Sequence, residues 1–66
     1  MEYTKEDLIE AKRQIDSTLH KLRETIETFE SKENSERYKP QITLAKRRVR
    51  AFEIANHFIE NEIGNS

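Results

Sequence analysis

The stretch PQITLAKRRVRAFEIANHFIENEI, residues 40–63, decides how this chain can fold. At helical spacing its apolar residues form two neighbouring stripes. The first stripe contains Ile42, Ala45, Val49, Phe52, Ile59 and Ile63. The second stripe contains Leu44, Ala51, Ala55 and Phe58. One helix packs against another through a single apolar stripe. This stretch therefore carries more apolar surface than one neighbouring helix can bury.

The first half of the chain carries a matching apolar stripe. After the first heptad its members recur at alternating spacings of three and four: Leu8, Ile15, Leu19, Leu22, Ile26 and Phe29. One polar residue, Lys12, interrupts the stripe. Thr4 is a suitable N-cap, and Asp7, three residues later, can complete a capping box. The pattern predicts a first helix from about residue 5 to about residue 32.

A polar segment separates the two stripes. Residues 33–37 contain no apolar side chain, so we assign a loop to about residues 33–39, although a single turn would fit at 35–38. Pro40 suits the first turn of the next helix, where its missing N–H would have no partner in any case. Gly64 is placed to end that helix in a left-handed conformation. The second helix is predicted over about residues 40–63.

Two amphipathic helices joined by a short polar loop are expected to fold back on each other. The predicted fold class is all-α, with residues 1–66 forming a single antiparallel two-helix hairpin. The loop selects a register in which Phe29 lies opposite Ile42 and Leu8 lies opposite Ile63. The ion pairs that this register predicts on one flank are Glu30–Lys46 and Arg23–Glu53.

Two polar residues fall within the predicted seam of the hairpin. In this register Asn56 faces Ile15, and Lys12 faces Ile59. A polar residue in such a seam fixes the register of a helix pair at a cost in stability, and a lysine can extend its ammonium group to water. We interpret both residues as register control. The alternative is a polar pocket at the open end of the hairpin.

The second stripe of residues 40–63 has no partner within the hairpin. Exposed Leu44 and Phe58 would be a liability on so small a chain, and a lone hairpin buries little apolar surface. We therefore expect a homodimer, in which two hairpins pack as a four-helix bundle, or a partner helix from another protein. The predicted interface includes small residues of the first helix and consists of Leu44, Ala51, Ala55, Phe58, Ala11, Thr18 and Thr25.

The basic run KRRVR at residues 46–50 supports a second hypothesis, a small regulator that associates with nucleic acid. In that hypothesis Arg47, Arg48 and Arg50 contact phosphates. No aromatic residue is interleaved with the run, which argues against base stacking. The net charge of the chain is −1, and acids of the first helix are expected to compensate the arginines. We therefore favour a protein partner over nucleic acid.

The composition of the chain argues against several classes of protein. The chain contains no cysteine, so disulfides and thiolate metal sites are excluded. No apolar run approaches the roughly 18 residues of a membrane span. The first seven residues are polar and acidic, unlike a secretory signal. We expect a cytoplasmic protein that does not bind a membrane.

No pattern in the sequence indicates catalysis or a cofactor. The single glycine excludes a glycine-rich phosphate loop, and acids alternate with bases as on a solvated helix face. His20 and His57, the two histidines, fall on polar faces away from the seam. We expect no enzymatic activity, no metal site, no cofactor and no small-molecule substrate.

Overall fold

The computed structural model describes residues 2–65 and shows two long helices packed antiparallel. Helix α1 spans Lys5–Glu30, a 3-10 turn spans Ser35–Tyr38, and helix α2 spans Lys39–Asn65. The molecule is a rod of 48 × 17 × 15 Å. The predicted all-α antiparallel hairpin is confirmed.

The start of α1 follows from its first residues. The Thr4 hydroxyl oxygen accepts a hydrogen bond from the Asp7 amide at 3.1 Å. The Thr4 amide donates in return to the Asp7 carboxylate at 3.0 Å. Both halves of the predicted capping box are therefore present, and two backbone donors at the helix terminus have partners.

The connection between the helices is more regular than the predicted loop. The amide of Lys32 donates to Phe29 at 3.3 Å, which tightens the end of α1 and stops it at Glu30, short of residue 32. The segment Ser35–Tyr38, which we expected to be loop, forms a 3-10 turn. The Tyr38 ring stacks on Phe29 with 4.8 Å between ring centroids. This stacking packs the 3-10 turn against α1 and favours its helical backbone over an open loop.

The far end of α2 also departs from expectation. The helix continues through Gly64 to Asn65, and no glycine among residues 2–65 has a positive φ. The prediction that Gly64 ends the helix in a left-handed conformation was therefore wrong. Nothing lies within 4 Å of a Cβ built on Gly64, so neither packing nor backbone geometry requires glycine there.

The hairpin seam contains the first stripe of α2 and the apolar stripe of α1. Leu19, Ile42 and Ala45 are buried. The other seam residues of both helices are half-buried. The predicted flanking ion pairs are present, Arg23–Glu53 at 3.0 Å and Glu30–Lys46 at 3.0 Å. Because all four side chains are about half exposed, each pair contributes only a few tenths of a kcal/mol, but together they agree with the predicted register.

Candidate interaction surface

The face of α2 that points away from α1 carries large apolar side chains in contact with water. Phe58 is 65% exposed, and Leu44 and Ile54 are each 46% exposed. Ala51 lies between them and is also exposed. Since residues seven apart return to the same side of a helix, positions 44, 51 and 58 form one line along α2.

The exposed line has a slightly different membership from the predicted interface. Ala55 is half-buried and lies toward the seam, whereas Ile54, Ala51 and Arg47 line the same open depression on α2. We define the outer stripe as the residues that alternate at spacings of three and four along this face: Leu44, Arg47, Ala51, Ile54 and Phe58. This spacing is present in the sequence, but Arg47, the second residue of the stripe, interrupts its apolar pattern.

The residues of α1 that we assigned to the interface are small and largely exposed. Ala11 is half-buried, while Thr18 and Thr25 are exposed. The Thr25 hydroxyl donates to the backbone carbonyl of Lys21 at 2.9 Å, so its polar group already has a partner. These side chains leave the flank of α1 open to close approach by another helix.

The basic run is compensated at one position only. Lys46 pairs with Glu30. Arg47, Arg48 and Arg50 are exposed, and within residues 2–65 they have no carboxylate within 4.0 Å. The expected compensation by acids of α1 is therefore absent at the three arginines. Their charge is available to a partner.

A polar network crosses the seam toward its open end. The Lys12 ammonium bridges the carboxylates of Asp16 and Glu60 at 2.9 and 3.1 Å. The side-chain amide of Asn56 donates to Asp16 at 2.8 Å. The bonds from Lys12 and Asn56 hold the pKa of Asp16 below its usual value, and the bonds to Asp16 and Glu60 raise the pKa of Lys12. The polar groups of these four side chains bond mainly to one another, and the bonds from Asn56 to Asp16 and from Lys12 to Glu60 link α1 to α2.

This network was only half visible in the sequence. The heptad pattern identifies Lys12 and Asn56 as polar seam residues, whereas it places Asp16 and Glu60 among the acids of the solvated helix faces. Each acid lies four residues after a polar seam residue, which places it on the same side of its helix. That spacing is the signal by which the network could have been found.

The histidines make local contacts on their own helices. The His20 ring contacts the carboxylate of Glu24, and the His57 ring lies 3.3 Å from the Asn61 amide nitrogen. Within residues 2–65 no three histidine, aspartate or glutamate side chains are grouped so that they could hold a metal ion.

Comparisons of the chain with protein-family models, curated proteins and solved structures found no match. Neither helix in the described part of the chain has an apolar stretch long enough to cross a bilayer. The exposed surface of the hairpin is therefore the guide to its function.

Proposed function

We propose that this chain is a non-enzymatic protein–protein interaction module that binds a helix along the outer stripe of α2. The helix comes from a second copy of the chain or from another protein. The observation that carries the proposal is the exposure of Phe58, Leu44 and Ile54 along one line of the helix. Grouped apolar side chains on a small protein mark an interaction site.

The weakness of the hairpin core supports the same conclusion. Among residues 2–65 only Leu19, Ile42 and Ala45 are buried. A chain of this size with so few buried residues needs additional packing to be stable. Docking a helix on the outer stripe would bury its three large apolar side chains and supply that packing.

The spacing of the stripe favours a helical partner. Positions that alternate at three and four residues form the seam of a helix pair, in which each side chain fits between side chains of the facing helix. A helix in such a groove is a recurrent mode of protein recognition. The exposed face of α2 offers this geometry over several turns.

Phe58→Glu tests the proposal, with Ile9→Glu as the matched control. Ile9 is an exposed apolar residue of α1, at 43%, and does not belong to the outer stripe. We expect Phe58→Glu to abolish association measured by sedimentation of the pure chain or by cross-linking in a cell extract. Ile9→Glu should retain it. Equal behaviour of both variants, or no association of the unmodified chain in either assay, would contradict the proposal.

A second candidate function, binding of a nucleic acid, is favoured by the three uncompensated arginines. Arg47, Arg48 and Arg50 present positive charge within about one turn of α2, and within residues 2–65 none of them has a carboxylate within 4.0 Å. Contacts of arginine with phosphate weaken steeply as salt rises, because binding releases counterions from the nucleic acid. The expected signature is retention on a nucleic-acid matrix that falls with salt.

Charge reversal distinguishes this candidate from a purely protein-binding role. Changing the three arginines to glutamate should abolish retention. The control changes Lys5, Arg13 and Lys21 of α1 to glutamate, which alters the net charge by the same amount. Retention that survives the first change, or is lost equally with the second, contradicts a specific role for the arginines.

A further inference from the structure

The charges of α2 are divided between its two halves. Residues 39–50 contain five basic side chains and no acidic one, whereas residues 51–65 contain three glutamates and neither lysine nor arginine. A second α2 lying parallel would place like charges side by side. A second α2 lying antiparallel would place the basic half of each helix beside the acidic half of the other. The helix is therefore complementary in charge to an inverted copy of itself.

Building on the proposed function, we infer that the partner helix is α2 of a second copy, packed antiparallel on the outer stripe. In this arrangement Arg47 lies over Phe58 of the second copy, and Arg48 faces Glu62 of the second copy. The twofold axis repeats both contacts. The two α2 helices form the centre of the dimer, and the α1 helices lie outside them.

The position of Arg47 selects the register between the two copies. Two antiparallel registers pair four of the five outer-stripe residues with one another. One register places Leu44 opposite Ile54 of the second copy and Arg47 opposite Ala51 of the second copy. The twofold axis repeats the second pair directly beside the first, so the Arg47 side chains of the two copies lie close together at the centre of the interface. The other is shifted by one heptad and places Leu44 opposite Asn61 of the second copy. Like charges at the centre of an interface are costly, so the shifted register is preferred.

In the shifted register the arginine becomes a favourable contact. Arg47 lies opposite Phe58 of the second copy, and a guanidinium group over an aromatic face is attractive. Ala51 lies opposite Ile54 of the second copy, so a small side chain meets a large one near the axis. The contact also covers the phenylalanine, which is the most exposed large apolar side chain of the outer stripe.

The flanking residues agree with the same register. Arg48 and Glu62 have no ion pair within the described hairpin. Glu30 and Lys46 each directly follow a seam residue, Phe29 and Ala45. In the same way Arg48 follows Arg47 of the outer stripe, and Glu62 follows Asn61, which lies three residues after Phe58 and continues the spacing of the stripe. Glu30 and Lys46 form an ion pair at 3.0 Å. By the same geometry Arg48 pairs with Glu62 of the second copy, twice per dimer.

Disulfide trapping tests this arrangement, because the chain has no cysteine of its own. Leu44→Cys and Asn61→Cys are oxidised separately and then as an equimolar mixture. Both positions are exposed, so the hairpin fold should persist, and circular dichroism checks this. We expect the mixture to form a disulfide-linked dimer and each variant alone to form little, since each position is far from its own counterpart.

The other outcomes are distinguishable from failure of the proposed function. Cross-linking of Asn61→Cys with itself would indicate a parallel dimer and overturn the inference. Efficient cross-linking of Leu44→Cys with Ile54→Cys, together with little cross-linking of Leu44→Cys with Asn61→Cys, would indicate the other antiparallel register and would also overturn the inference. A dimer in sedimentation with no trapped pair also overturns the arrangement, while the proposed function stands. A folded monomer that binds a different protein through Phe58 overturns this inference alone.

A charge exchange provides a second readout. Arg48→Glu and Glu62→Arg should each raise the dissociation constant of the dimer several-fold, because each places like charges together. The combined variant should return it close to that of the unmodified chain. An exchange that fails to restore affinity would show that Arg48 and Glu62 do not face each other.

Discussion

Asn56 shows most clearly how a single residue balances stability against specificity in this hairpin. Its amide nitrogen donates to Asp16 on the other helix. Its amide oxygen is buried and has no hydrogen-bond partner among residues 2–65. A buried acceptor without a partner costs free energy, whereas a polar contact across the seam disfavours shifted registers. We therefore expect Asn56 to favour the observed pairing of α1 and α2 at the expense of stability.

Replacing Asn56 by leucine should raise the free energy of unfolding by about 1 kcal/mol, because it removes the unpaired acceptor. Asp16 would keep its bond to Lys12. Urea unfolding at a single protein concentration measures the effect. Asn56→Asp is the matched control and should be destabilising, since it adds a carboxylate beside Asp16. A leucine variant less stable than the unmodified chain would show that the bond to Asp16 outweighs the unpaired oxygen.

At the scale of the element, α2 carries two stripes of apolar residues on different sides of the helix. The first packs on α1 through Ile42 and Ala45, which are buried. The second is the outer stripe, whose large apolar side chains are 46–65% exposed in the described structure. The helix extends past Gly64 to Asn65, seven residues beyond Phe58, the last residue of the outer stripe. A helix with an apolar stripe on each of two sides is suited to pack between two other helices.

Gly64→Ala tests whether α2 continues through its last glycine. Alanine loses less backbone entropy than glycine when a helix forms, so the change should increase the free energy of unfolding by about 0.4–1 kcal/mol. Gly64→Asn is the control, because asparagine is a poorer helix former than alanine but tolerates a left-handed backbone. Thermal unfolding should rank alanine above asparagine. The reverse order would indicate that Gly64 ends the helix after all.

At the scale of the whole molecule, the hairpin is a thin rod, 48 Å long and 17 by 15 Å across. Two helices side by side leave every residue close to the surface. This geometry explains why, within residues 2–65, only three seam residues are buried, although the apolar pattern of the seam covers the full length of both helices. A second hairpin is the simplest addition that would thicken the rod.

If a second copy supplies this packing, the stability of the chain must depend on its concentration. Dimerisation of the folded form shifts unfolding by mass action. We expect the midpoint of thermal unfolding to rise by several degrees for each tenfold increase in concentration across the micromolar range. Phe58→Glu should remove that dependence, and Ile9→Glu should preserve it. A concentration-independent midpoint for the unmodified chain would argue for a monomer.

Much of this architecture could be predicted because it depends on local pattern. Apolar periodicity located both helices and their seam, and the spacing of Thr4 and Asp7 located the capping box. The antiparallel register followed from where polar residues interrupt that periodicity, which is why Arg23–Glu53 and Glu30–Lys46 were found as expected. Dimerisation remains a prediction at this point, together with the assignment of Ala11, Thr18 and Thr25 to an interface.

The sequence by itself therefore determined the helices, their antiparallel pairing and the residues between them, since helical period and caps act over a few residues. Only the tertiary structure decided which apolar side chains of α2 stay exposed. Ala55 is half-buried beside the seam and Ile54 is exposed, because the extent of contact with α1 sets the edge of the buried surface. The same packing joins Asn56 to Asp16 and stacks Tyr38 on Phe29, contacts between residues that no local spacing connects.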